Sequence, residues 1–148
     1  MYSFLLKFHS GFRYLVLLLL VLTIVQALAG WFGKKSYTET NRKLNLFGLI
    51  FAHIQLLVGL ILYFYSPFVK LAEMAATMKD ASLRYWTVEH LVMMIFAVVL
   101  ITVGHSKSKK ATDAIQKHRT VAIFYGLALL VILVAIVQSG RPILGSAS

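Results

Sequence analysis

The sequence predicts an all-α, integral-membrane, up-down-up-down four-helix bundle occupying residues 1–148 as a single domain. Two observations carry that prediction. Hydrophobic residues make up 59% of the chain and charged residues only 14%, whereas soluble domains are about half apolar and a quarter charged. The apolar residues also fall into four blocks, 12–32, 44–65, 85–104 and 121–137. Each is close to the roughly 20 residues that cross a bilayer core. Polar segments at 33–43, 66–84 and 105–120 separate them, and such short connections make neighbouring helices antiparallel.

The first helix is expected at about 8–32, with Trp31 as an aromatic anchor at its inner boundary. Its apolar run is longer than the core of a secretory signal. Gly30-Trp31-Phe32-Gly33 also lacks the small-x-small cleavage pattern, so the segment and its His9 are expected to persist in the mature protein. Thr38-Glu39-Thr40 offers a start for the second helix, about 43–65. Phe68, Val69, Leu71, Ala72, Ala75, Ala76 and Met78 suggest a short interfacial helix at about 68–80. Tyr63, Tyr65, Tyr85 and Trp86 mark the outer boundary around it. The third helix is expected at about 85–105, where Gly104 and Ser106-Lys107 place His105 at the headgroups. Thr112-Asp113 precedes the fourth, at about 117–138. Pro67 and Pro142 lie just beyond the second and fourth blocks, where proline ends a helix without interrupting one.

A net charge of +10 does not indicate nucleic acid here. Lys34, Lys35, Arg42, Lys43, Lys107, Lys109, Lys110, Lys117 and Arg119 crowd into the first and third polar segments. Lys7, Arg13, Lys70, Lys79, Arg84 and Arg141 are spread over the other side. That asymmetry fits cytoplasmic loops beside anionic lipid, with the termini outward, periplasmic in a bacterial inner membrane. No organelle-targeting segment is evident. The chain has no cysteine, which excludes iron–sulfur ligation, c-type haem attachment and a thiol nucleophile.

Each block is accompanied by a histidine: His9, His53, His90 and His118. A polar ring in hydrocarbon needs a partner or a function, and a haem iron takes two imidazoles. Depth along the helices groups them into an outer pair, His9 with His90, and an inner pair, His53 with His118. The pairs join helices one to three and two to four, the diagonals of the bundle, though each is offset in depth by about 8–13 Å at helical rise. His105 follows His90 on roughly the same side and is an alternative inner ligand. The competing structural reading is a solvated, lipid-facing ring for His105 and His118, and an interfacial one for His9. For His53 and His90 it is a hydrogen bond to Gln55, Glu89 or a backbone carbonyl.

Other groups fit around the histidines. Arg13, one turn deeper than His9, suits a haem propionate, as do Lys7 and Arg84 outside and Lys107 or Arg119 inside; snorkelling to phosphates is the alternative. Glu89 could orient a ligand, bind a quinol or pair with Arg13 or Arg84. Met93 and Met94 are packing residues first. Ala122 and Gly126 thin one stripe of the fourth helix after His118.

One histidine on each of four spans resembles the four-helix core of the cytochrome b561 family. Small four-span cytochrome b-like proteins are similar through His9-Ser10-Gly11-Phe12-Arg13-Tyr14, Ala52-His53-Ile54-Gln55 and Trp86-Thr87-Val88-Glu89-His90. The resemblance implies one or two haem b groups on histidine pairs and electron transfer with a quinol, a quinone or a redox protein. The expected function is therefore a b-type membrane cytochrome. A small haem- and quinone-linked membrane oxidase, or a cofactor-free accessory subunit of a membrane complex, are the alternatives, and association with further copies of the chain is open. A metal-ion transporter ranks below these, because carboxylates are scarce.

Overall fold

A computed structural model describes residues 2–65 and 89–138, with side chains placed for 3–62 and 89–138. They form four helices and, among the described residues, no strand: α1 Tyr2–Phe32, α2 Glu39–Tyr65, α3 His90–Lys110 and α4 Ala114–Gln138. All four are long and apolar enough to cross a bilayer. Leu15, Leu18, Leu22, Val25, Leu57, Val99, Leu130 and Val134 form part of an exposed apolar belt. A soluble protein does not sustain such a belt, and lipid is its natural solvent. The chain is an integral membrane four-helix bundle. The interfacial segment expected at 68–80 and the anchors Tyr85 and Trp86 lie outside the described residues.

α1 packs between α2 and α4, and α3 packs closely on α4 and much less on α2. The ring order is therefore α1-α2-α3-α4, with α1 and α3 across one diagonal and α2 and α4 across the other. Both short connections, 33–38 and 111–113, lie at one end, called here the basic end for its lysines. The opposite, terminal end carries the start of α1, the end of α2 and the start of α3.

Local chemistry sets the helix ends. At the end of α1 the Lys35 N–H donates to Gly30 O at 2.9 Å and the Lys34 N–H to Trp31 O at 3.4 Å. This is a Schellman cap. Its left-handed position is held by Lys34, at φ 50°, where glycine is usual. Thr38 caps α2: its hydroxyl accepts from the Asn41 N–H at 3.3 Å, while Asn41 Oδ1 accepts from the Thr38 N–H at 2.8 Å. The reciprocal pair is a capping box with Asn in the fourth position. Glu39 and Arg42 form an ion pair in the first turn. α3 runs on past the stop expected at His105, and Lys107, Lys109 and Lys110 occupy its last turn. Cations are favoured there by the helix dipole.

The interior of the basic half is closely packed, with a small pocket beside the α1–α2 loop lined by Gln26, Gly30, Ser36 and His118. Leu20, Ile101, Val121, Tyr125 and Ala128 are completely buried. Gly104 lets α3 meet α4 closely, since a Cβ there would lie 2.4 Å from Phe124 Cβ. Polar groups tie this half to its loop. Tyr125 Oη donates to Asn45 O at 2.8 Å, Asn45 Nδ2 donates to Tyr37 Oη at 2.6 Å, and Lys117 Nζ donates to Ser108 O at 2.9 Å.

Candidate functional site

The terminal half encloses a void between all four helices. α1 contributes His9, Ser10, Arg13 and Val16; α2 contributes Ala52, Gln55 and Gly59; α3 contributes His90, Met94, Ala97 and Ile101; α4 contributes Ile132, Ala135 and Ile136. Each set follows the three-to-four residue spacing of one helix face. The enclosed part measures about 120 Å³, and the void with its open mouth about 1050 Å³. Every helix presents a small residue to it: Ser10, Ala52 with Gly59, Ala97, and Ala135. Small side chains on all four helices, Ser10, Gly59 and Ala135 toward the terminal end and Ala52 and Ala97 deeper, open this gap.

The void brings together His9 and His90, from diagonally opposite helices, and sets Arg13 beside them. Gln55 fixes this corner, donating from Nε2 to the His9 carbonyl at 2.8 Å. Gly59 sits against the His9 ring, where a Cβ would come within 3.3 Å of Cε1. Arg13 Nη2 donates to Tyr14 Oη at 3.1 Å. Ser10 Oγ and Gln55 Oε1 are buried and have no hydrogen-bond partner among the described residues. Both line the void. Buried polar atoms are almost always partnered, so two of them around one gap suit a ligand that carries polar groups.

No family model matches this chain, and neither a curated protein nor a solved structure matches it.

The other histidines are placed apart. His118 is 2% exposed, lies across Gly30, and donates from Nε2 to Ser36 O at 3.1 Å. Its ring meets Tyr37 edge-on at 5.3 Å. A Cβ on Gly30 would lie 2.5 Å from three atoms of that ring, so helix α1 is pressed directly onto it. His53 is exposed on the α2 face toward α3, with Leu49 O and Thr102 as its neighbours. The two thus share neither a cavity nor a partner, and the solid core of Leu20, Val121 and Tyr125 fills the bundle at the level of the basic half. His105 is 7% exposed, with Nδ1 lacking a partner among the described residues. His105 and His118 are therefore interior groups, not the lipid-facing rings their lysine-rich surroundings suggest. Among the described residues no three His, Asp or Glu converge as a metal site; two axial imidazoles do not require that many.

Several cations considered for propionates have other contacts. Arg119 lies over the Trp31 ring at 5.9 Å and Lys107 over Phe124 at 5.5 Å. Arg84 lies outside the described residues. Met94 lines the void and Glu89 immediately precedes α3. The thin stripe that matters on α4 includes Ala135, not the Ala122 and Gly126 singled out from sequence. Counting from His90 along its own face, through Met94 to Ala97 and Ile101, would have found the α3 wall. The small residues of α2 and α4 have no such marker.

Proposed function

We propose that this chain is a b-type cytochrome of a bacterial inner membrane, holding one haem b between His9 and His90 and exchanging electrons with a lipid-soluble quinol. The observation that carries this reading is the shared void: two imidazoles from diagonally opposite helices, an arginine beside them, and small side chains on every wall. The donor set fits the group. Paired imidazoles suit a six-coordinate low-spin iron, which supplies reversible one-electron transfer. Arg13 offsets the propionate charge, a role in which a partly buried guanidinium is effective. Ala97, Ile101, Ile132 and Ile136 keep water from the inner wall. Gln55, through the His9 carbonyl, holds the first turns of α1 against α2 and so fixes the position of the His9 ring. The basic loops face the cytoplasm, which places the histidine void in the periplasmic half of the bundle.

The test is a dithionite-reduced minus oxidised spectrum of purified protein from haem-replete cells, with pyridine haemochrome quantification. The expected result is a sharp alpha band in the b-type region, lost in His9→Ala and His90→Ala and kept in His53→Ala. A colourless wild-type protein would remove the cytochrome reading and leave that of an accessory subunit.

A further inference from the structure

The hydrogen bonds around His53 fix its tautomer. Its Nδ1 lies 2.8 Å from the carbonyl oxygen of Leu49. A carbonyl only accepts, so Nδ1 carries the proton. The other nitrogen, Nε2, faces Thr102 Oγ1 at 3.4 Å, a long contact. The hydroxyl of Thr102 has one proton and gives it to Val98 O at 2.7 Å. Thr102 therefore has nothing to donate to His53. A second proton on the ring would satisfy the geometry but would place a cation in hydrocarbon, which is costly. The result is an imidazole whose Nδ1 proton is given to Leu49 O and whose Nε2 faces only the long contact with a hydroxyl that spends its proton elsewhere.

Its place in the bundle decides what donor could reach it. His53 is exposed and lies in the middle of α2, about 21 Å from Glu39 at helical rise. It sits in the seam between α2 and α3, the loosest in the bundle. Water is scarce at that depth. Lipid headgroups are anchored about 15 Å away, at the edge of a core about 30 Å thick. A donor at the midplane must then belong to a neutral molecule whose polar head itself enters the hydrocarbon.

We propose that the His53–Thr102 seam is a lateral binding site for a lipophilic hydroquinone, with His53 Nε2 accepting a hydrogen bond from a ring hydroxyl. Thr102 Oγ1 has lone-pair capacity left beside it to accept from the same hydroxyl or to flank the ring. The site is one helix wall from the histidine void: Ala52 and Val98 line that void, and Val98 supplies the carbonyl that takes the Thr102 proton. This inference deepens the quinol-linked reading and depends on it only for the use made of the bound molecule. Binding itself rests on His53.

The chemistry demands a donor, and the test uses that demand. Protein carrying ¹⁵N-labelled histidine is placed in lipid nanodiscs and titrated anaerobically with a decyl-substituted benzohydroquinone, then with the matching quinone and the dimethyl ether. His53→Leu assigns the His53 resonances by difference. The expected result is an unprotonated Nε2 that shifts with the hydroquinone and not with the quinone or the ether. Hydroquinone affinity should fall at least tenfold in His53→Leu and recover in part in His53→Gln, which restores an acceptor. Equal shifts with all three probes, a protonated Nε2 in the free protein, or unchanged affinity in His53→Leu would overturn the proposal. So would efficient disulfide dimerisation of His53→Cys, which would mean that a second copy covers the seam. Haem content is measured on the same samples: a colourless protein that still binds hydroquinone removes the cytochrome reading and keeps this site, and a red protein that does not bind it does the reverse.

Discussion

At the scale of single residues, the basic half of the bundle contains polar groups of two kinds, and their energetics differ in sign. Tyr125 is fully buried and its hydroxyl donates to Asn45 O. Thr23 is equally buried, but Oγ1 has no partner among the described residues. Removing the first hydroxyl loses a made bond; removing the second relieves a desolvated one. Tyr125→Phe should therefore lower stability by about 0.6–1.5 kcal/mol. Thr23→Val, of nearly the same shape, should be neutral or raise it by up to about 1 kcal/mol. Reversible unfolding in mixed micelles separates the two, and a Thr23→Val loss as large as that of Tyr125→Phe would mean that the threonine has a bound partner. Sequence gave no way to distinguish these hydroxyls, because the difference lies in what faces each across a helix interface. For His53 the local carbonyl bond was open to inference, as it is made within α2 itself, and that reading anticipates the Leu49 contact.

At the scale of elements, the helix ends and close crossings carry the testable content. Lys34 holds a left-handed position that costs a side chain roughly 1 kcal/mol, and it is exposed. Lys34→Gly should raise thermal stability by about that amount while leaving the Schellman bonds in place; unchanged stability would show that lipid contacts of the lysine offset the strain. Gly104→Ala should act in the opposite direction. The Phe124 atom in its way is a Cβ, which cannot swing aside, so α3 and α4 must separate. A loss of about 1–3 kcal/mol is expected. Polar punctuation and hydropathy were enough to place these helices, and Thr38 was legible as a start. The extension of α3 past Gly104 was not. A glycine followed by serine and lysine reads as a stop, yet here the glycine is retained for helix contact and the lysines complete the last turn.

At the scale of the whole molecule, the bundle has a hollow terminal half and a basic half whose interior is packed by fully buried side chains. Short loops alone dictate that helices one and three lie diagonally, which is why the pairing of His9 with His90 was accessible from order and depth. That His53 and His118 are held apart depends on side-chain volume: Gly30 admits the His118 ring beside α1, and the fully buried Leu20, Val121 and Tyr125 pack the interior of that half. Volume has no periodic signature, so only the greater strain in depth counted against the second pair in the sequence. On the cytochrome reading, that packing limits the number of haems. Seating a second haem in the basic half would require expelling several fully buried side chains, and each large-to-small loss in a packed core costs about 2–5 kcal/mol. Haem-replete protein should therefore carry one haem per chain, not two. His105→Leu, which removes an interior ring nitrogen without a partner among the described residues, should keep that stoichiometry and lose no stability. Pyridine haemochrome assay against amino-acid analysis decides it. A value of two in the wild type that falls to one in His105→Leu or His118→Phe would show that the basic half opens to take a second group, and that the packing seen here belongs to a different state of the bundle.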